Sequence, residues 1–532
     1  MSSPRCAAAL VAQLCVQGVR DAVLAPGSRS APLALALARA EADGLLRLHV
    51  RIDERSAGYL ALGLAKAGGR PVAVVTTSGT AVGNLLPAVM EAHHSGVPLV
   101  VLSADRPAAL VGFGANQTTD QSRMFEPFLR WSARVSSSAP AASWPAQAAR
   151  AVLLAAGRGT RAPGPVQLNV ELAEPLVGGA DRPVVRPVQQ GALGEAEAVG
   201  LPAGPRTLLV CGDAPAEVGA QVAELARTSG LPLVAEPSSN ARADALRTGR
   251  LLLSGPLADE VERVVVFGHP TLSRPVNRLL ARDDVEVVVV SATADWVDPG
   301  WRAAYVAAAV RFEPGEPAWA GRWRAADERV GAGVDALLAG QSVLTGPALA
   351  RAVTDAVADG VLVLGNSQAI RDADLAPLAT QRVFANRGLA GIDGMASTAT
   401  GIALAVGEPV TLLCGDLTFV HDANGLATGA GEPRPDLRIV VADDDGGSIF
   451  ATLEYGDERF ATHFERVFGT PSGVDPVALA RAHGLSARRV SGPAELAEAL
   501  TEPVRGVEVL VAVIDRTGRR ALDRRLTALA TD

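Results

Sequence analysis

Short, almost uninterrupted apolar runs recur along the chain, separated by helix-length stretches rich in Ala and Leu. A first group covers residues 21–25, 46–50, 72–76, 99–103 and 166–170; a second covers 207–211, 233–235, 264–267 and 285–290; a third covers 361–364, 383–385, 410–413, 437–442 and 507–514. Strands that are apolar on both faces belong to parallel sheets covered by helices on both sides. The pattern therefore predicts an α/β fold of three doubly wound parallel-sheet domains. Two polar, Pro- and Gly-bearing seams, 177–204 and 325–347, serve as expected linkers. They bound domains at residues 1–180, 200–325 and 345–532, each of ordinary domain size.

Composition narrows the class. With 532 residues, 48% apolar and 20% charged, the chain reads as a globular protein too long for one core. No apolar stretch approaches the ~18 residues of a membrane span. Residues 6–16 read as an amphipathic first helix rather than a signal peptide, which points to a cytoplasmic protein. A net charge of −8 speaks against a nucleic-acid surface. The four cysteines, Cys6, Cys15, Cys211 and Cys414, form no zinc or disulfide spacing. Lys66 is the sole lysine, so Schiff-base chemistry is disfavoured and anions fall to arginine.

The chemistry lies where strands end. The run 410–414 delivers Gly415-Asp416, and about a helix later the run 437–442 delivers Asp443-Asp444-Asp445-Gly446-Gly447. Carboxyl ends of neighbouring parallel strands open on one crevice, so Asp416 and one of the later aspartates can share a cation. Mg²⁺ fits, since it takes one or two carboxylates and fills its octahedron with water and phosphate oxygens. Glycines let backbone approach a diphosphate. Either motif alone is an ordinary turn or a solvated loop; their spacing after two apolar runs favours a metal-bridged diphosphate. Successive side chains alternate, so only one or two of the three aspartates can face the ion. In the first domain, strand ends carry Gly27-Ser28-Arg29-Ser30, Asp53-Glu54-Arg55, Thr77-Ser78-Gly79-Thr80 and Asp105-Arg106, with Asn116-Gln117 in the loop beyond. Asp53 and Glu54 could simply satisfy a helix dipole; four adjacent polar strand ends favour a site.

These strings resemble those of the thiamine-diphosphate enzymes, whose metal motif is Gly-Asp followed after about 25 to 30 residues by Asn-Asn or a variant. The finer strings, including Gly365-Asn366-Ser367, Arg371-Asp372, Asn386-Arg387-Gly388 and Gly391-Ile392-Asp393-Gly394, are similar to the branch of that family which joins 2-oxoglutarate to isochorismate in menaquinone biosynthesis. The resemblance implies thiamine diphosphate with Mg²⁺ or Mn²⁺ as cofactors. It implies Glu54 as the catalytic group on the aminopyrimidine ring, enclosed and kept protonated or paired. It implies Asp416, Asp444 and the Gly446 carbonyl as metal ligands, with Asp444 standing where asparagine is usual. Thr77, Ser78, Gly79, Thr80, Ser367, Leu417, Thr418, Gly447 and Ile449 are implied around the cofactor, above Ile392 as a prop. Ser28, Arg29, Arg106, Asn116, Gln117, Arg274, Arg371, Arg387, Phe450 and Leu453 are implied around the two dianionic substrates. Ser273 stands where a basic residue often precedes Arg274. The middle domain, with no G-x-G-x-x-G string, reads as structural, and the chain as a homodimer or homotetramer. Three rivals differ in kind: an acetolactate-synthase-like or other 2-oxoacid decarboxylase, a non-catalytic ligand-binding paralogue, and a phosphoryl-transfer protein, which would lack its P-loop.

Overall fold

The computed structural model describes residues 2–179, 182–191, 193–194 and 196–531. It falls into two compact units, Met1–Gly194 with Asp393–Glu408 and His421–Leu437, and Glu195–Ile392 with Pro409–Val420 and Arg438–Asp532.

In the first unit β1 (Asp21–Leu24), β2 (Arg47–Val50), β3 (Val72–Thr76), β4 (Leu99–Asp105), β5 (Trp131–Ser136) and β6 (Val166–Glu171) form one sheet in the order β2-β1-β3-β4-β6-β5. All its described pairings are parallel. Alternate residues of the same strands feed two cores: Ala22, Ala73 and Val100 face the helices Ser3–Val16, Ala31–Ala42 and Ser143–Ala155, while Val23, Val74 and Val101 face Glu54–Gly68 and Leu86–His94. This is the two-sided burial that turns a strand into an apolar run. The helix Met395–Val406 packs on Glu54–Gly68 with almost no separation. A Cβ on Gly63 would lie 2.1 Å from the Thr398 carbonyl oxygen, and one on Gly401 would lie 2.3 Å from that of Leu60.

The second unit holds two larger sheets. Strands β8 (Thr207–Cys211), β9 (Leu233–Ala235), β10 (Arg263–Phe267), β11 (Glu286–Val290) and β12 (Ala303–Ala307) run in the order β12-β11-β10-β8-β9, and β7 (Val199–Leu201) pairs with β13 (Val310–Phe312). Strands β14 (Val361–Leu364), β15 (Val383–Phe384), β16 (Val410–Gly415), β17 (Leu437–Asp443), β18 (Ser486–Val490) and β19 (Val507–Val513) run in the order β15-β14-β16-β17-β19-β18. Here too the described registers of both sheets are parallel.

Two strands of these sheets, β5 and β18, carry no apolar run, and each lies at a sheet edge; a third edge strand, β12, is apolar throughout yet lies outside the expected runs. Edge strands are wetted on one side, so Trp131–Ser136 alternates and Ser486–Val490 carries two exposed arginines. The expected second linker, 325–347, is corrected in its first half: a 23-residue helix, Pro317–Ala339, runs through it. Trp319, Trp323, Val330 and Val334 recur at helical spacing and are buried against the middle sheet, which holds the helix despite its polar remainder. Among the described residues no helix is long and apolar enough to cross a membrane.

Candidate active site

In the first unit the ends of β1, β3 and β4 converge. Gly27 lies so close to Thr77 that a Cβ would meet its side chain at 2.4 Å, which fixes Ser28 and Arg29 beside the Thr77–Thr80 turn. Arg106 is 9% exposed; its Nη1 donates to Ser78 Oγ and, at 2.9 Å, to the Gln117 carbonyl. Gln117, at φ 54°, donates its own amide to the Ser78 carbonyl at 2.9 Å. Beneath them lies a buried amide network: Gln121 accepts from the Gly79 N–H at 3.0 Å and donates to Asn169, which donates to Asp105. Burial, then the neighbouring Arg29 charge, holds the Arg106 guanidinium below its ordinary value. Two guanidinium charges that feel each other attract an anion. Ser28, Thr80, Asn116 and Gln117 are exposed at the rim.

Glu54 opens the helix Glu54–Gly68, capped by Asp53, whose Oδ1 accepts from the Arg55 N–H at 2.8 Å and the Ser56 N–H at 3.2 Å. Asp53 takes the capping role, so Glu54 is left to point elsewhere. It accepts from Asn84 Nδ2 at 3.3 Å and is half-buried, not enclosed as expected.

In the second unit a cavity of about 150 Å³ opens at the carboxyl ends of β14, β16 and β17. Ser367, Ile392, Asp416, Leu417, Thr418, Asp444, Gly446, Gly447, Ile449 and Phe450 line it. That volume is below the usual range for a whole drug-sized ligand and suits a headgroup. Asp416 is 4% exposed and accepts from the Leu417 N–H at 2.7 Å and the Gly446 N–H at 2.8 Å. Of the three aspartates only Asp444 lines the cavity; Asp443 pairs with Arg489 at 2.9 Å, and Asp445, at φ 50°, is exposed. Gly446, at φ +146°, and Gly447 pass so close to the Gly469 and Phe468 carbonyls that no side chain fits.

The donor set fits a divalent cation. Burial pushes Asp416 up to about 7, with the Asp444 charge adding to it, and burial pushes Asp444 up to about 6 against the pull of Ser448 and Arg516. Two neighbouring carboxyls both raised by burial, one of them further by the other's charge, are a pair a cation would relieve.

The structure leaves several expected residues away from this wall. Arg371 is turned back onto the Ser367 carbonyl at 2.5 Å, and burial, then Arg387, lowers its guanidinium to about 10. Arg387 is 1% exposed and donates to Asn366 Oδ1 at 3.0 Å and Thr271 Oγ1 at 2.8 Å; it does not reach the cavity. Arg274 forms an exposed two-point pair with Glu454, at 2.6 and 3.2 Å. Leu453 accepts from Arg520 through its carbonyl at 2.7 Å and is absent from the lining.

The residues matched by two family models coincide with these two places. Residues 4–124 match a thiamine pyrophosphate enzyme N-terminal TPP binding domain, and 365–514 match the C-terminal TPP binding domain. Among curated relatives, a 2-succinyl-5-enolpyruvyl-6-hydroxy-3-cyclohexene-1-carboxylate synthase of Kineococcus radiotolerans is 53% identical over 98% of this chain and 98% of its own. Synthases of the same name from Nocardioides sp. and Paenarthrobacter aurescens are 49% and 47% identical, over 98% and 96% of this chain and 96% and 93% of their own. The chain belongs to the 2-succinyl-5-enolpyruvyl-6-hydroxy-3-cyclohexene-1-carboxylate synthase family.

Within this synthase family member the C-terminal TPP binding domain contains every lining residue of the cavity except Gly346 and Leu349. The N-terminal one contains Ser28, Arg29, Glu54, the Thr77–Thr80 turn, Arg106, Asn116 and Gln117; Arg274 lies in neither. Sequence reasoning quoted Asn366 and Asp372 of the cavity wall only within motif strings, giving them no role, and passed over Gln368 there and Gln121 beneath the turn. Asn366 had a signal, since it stands between a strand end and Ser367. Gln121 had none, because its role is set by strands distant in sequence.

Proposed function

We propose that the chain is a thiamine-diphosphate-dependent transferase that decarboxylates 2-oxoglutarate and adds the succinyl carbanion equivalent to isochorismate, giving 2-succinyl-5-enolpyruvyl-6-hydroxy-3-cyclohexene-1-carboxylate in menaquinone biosynthesis. What supports the reading most is near-full-length likeness to synthases of that name. Bound thiamine diphosphate supplies the electron sink for decarboxylation. Asp416, Asp444 and the Gly446 carbonyl hold Mg²⁺ or Mn²⁺ against the diphosphate, with Ser367, Leu417, Thr418, Gly447 and Ile449 around it. Ile392 props the cofactor. Glu54 holds a proton at the aminopyrimidine ring beside Thr77, Ser78, Gly79 and Thr80.

The substrate carboxylates fall to Arg29 and Arg106, with Ser28, Asn116 and Gln117 at the rim and Phe450 as an apolar wall. Arg371 and Arg274 serve them only after exchanging their present partners; Arg387 acts from behind. The working form is a homodimer or homotetramer, which sedimentation will distinguish from a monomer. The deciding experiment supplies purified protein with thiamine diphosphate, Mg²⁺ and 2-oxoglutarate, with and without isochorismate, and identifies the product by mass. Formation of the succinylated cyclohexene acid supports the proposal; conversion of pyruvate to acetolactate without it replaces this reading with the acetolactate-synthase-like one.

A further inference from the structure

In open α/β sheets ligands lie outside the carboxyl ends of the strands where strand order reverses. In the order β12-β11-β10-β8-β9 that place is at β8 and β10. Here no room is left. A Cβ on Gly212 would fall 2.0 Å from Pro270 N, and the residues after β9 are bonded to the segment 374–383. Arg242, 8% exposed, donates to Asp374 Oδ1 at 3.2 Å and to the Asp374 and Ala376 carbonyls at 2.9 and 3.2 Å. Asn240 exchanges two bonds with the Val383 backbone, at 3.2 and 2.8 Å.

One chain of contacts leads from this closed crevice to the cavity wall. Glu236, directly after β9 and 5% exposed, accepts from the Leu272 N–H at 2.7 Å through Oε1, while its Oε2 is buried with no partner. Leu272 adjoins Thr271, which accepts from Arg387 at 2.8 Å. Arg387 donates to Asn366 Oδ1 at 3.0 Å, and Asn366 donates to the Asn386 and Gly391 carbonyls at 2.7 and 2.6 Å. The next residue is Ser367, at φ 76° and ψ −127°, a conformation an L-residue keeps only when its surroundings force it. Asn366 and Ser367 both line the cavity.

We infer that Glu236 is a positioning residue, which through the 271–272 turn, Arg387 and Asn366 holds the strained Ser367 wall in shape to receive the cofactor's diphosphate. The inference rests on the reading of this cavity as the diphosphate pocket. It makes the middle sheet part of the site's machinery. Glu236 acts as an uncharged acceptor: burial pushes it up to about 8 against the pull of Arg387, with Asp374 and Asp213 pushing the same way as burial; Arg371 and Cys211 also lie within its field. Above that pH it gains a charge that draws on Arg387 and loosens the arrangement.

The test is calorimetric titration of the purified chain with thiamine diphosphate and Mg²⁺, for wild type, Glu236→Ala, Glu236→Gln and Thr271→Val, each first shown to be folded by circular dichroism. Loss of one buried bond in the chain weakens cofactor binding by ~5- to 100-fold in Glu236→Ala and Thr271→Val. Glu236→Gln, which keeps the acceptor, stays within about 3-fold at pH 7. Between pH 7 and 9 wild-type affinity falls relative to Glu236→Gln, a difference that a purely structural role does not produce. Wild-type affinity in both Glu236→Ala and Thr271→Val, or a Glu236→Gln variant as weak as Glu236→Ala, overturns the inference. If Glu236→Ala does not fold, Thr271→Val and the pH comparison decide. A wild-type chain that binds no cofactor sinks the pocket reading instead.

Discussion

Glu54 and Asp416 show how two similar groups differ through their surroundings. Glu54 begins a helix whose cap is already supplied by Asp53, so its carboxyl is available for chemistry. Glu54→Gln should fold and bind thiamine diphosphate with wild-type affinity while losing ~10²- to 10⁴-fold in turnover, the span of a general acid or base. Turnover within a few-fold of wild type would remove Glu54 from the mechanism. Asp416 is buried and held by two backbone N–H groups, so its carboxylate is aimed. Asp416→Ala should abolish Mg²⁺-dependent cofactor binding, because a phosphate charge then lacks its bridge; undiminished affinity by calorimetry would refute the metal assignment. Asp444→Asn removes one of two mutually repelling carboxyls but keeps an oxygen ligand, and activity should survive it.

At the scale of elements, the crossing of Glu54–Gly68 with Met395–Val406 sets where Glu54 stands within its unit. Gly401→Val forces a side chain into the Leu60 carbonyl and should destabilise the protein by about 1–3 kcal/mol or more in urea unfolding. Gly68→Ala, whose Cβ meets nothing nearer than 4.0 Å, should leave stability equal or up to ~1 kcal/mol higher. The N-terminus of Met395–Val406 is held by Asp422, fully buried, which accepts from the Ser397 N–H at 2.8 Å and hydroxyl at 3.2 Å. Burial nevertheless pushes Asp422 up to about 6. The folded state thus binds this proton more tightly than the unfolded chain, whose aspartates titrate near 4. Stability should therefore fall as pH rises from about 4 to about 6, by an amount on the order of 2 kcal/mol, and stay lower above. Asp422→Asn should flatten that slope in thermal melts across the same range; an unchanged slope would show that another group carries it.

For the molecule as a whole, the apolar runs determined the number and kind of the main sheets, because a strand covered on both faces has no polar positions to hide it. The edge strands β5 and β18 were invisible for the opposite reason: polar residues stand where their positions meet water. β12 is apolar throughout, and only the fold shows that it lies at an exposed edge. The helix Pro317–Ala339 was read as a linker because five buried apolar residues in 23 are too few to outweigh its polar remainder without the sheet that four of them pack on. In the site, the glycine and aspartate strings at strand ends pointed to Asp416 and one of the three later aspartates, since a strand end in a parallel sheet opens on the crevice; the family resemblance, not the strings, singled out Asp444, Gly446 and Gly447. Sequence alone could not say which aspartate of Asp443-Asp444-Asp445 turns inward; Arg489 draws one away and a left-handed backbone turns another out. Nor could it separate arginines that face open space from those that hold the wall. Arg106 lies among hydroxyls and carbonyls at a strand-end cluster, whereas Arg387 is enclosed by Thr271 and Asn366, residues 116 and 21 positions away. Local pattern decides the burial of backbone and hence the elements; the reach of a long charged side chain is decided only by which distant acceptors the fold brings within hydrogen-bond distance.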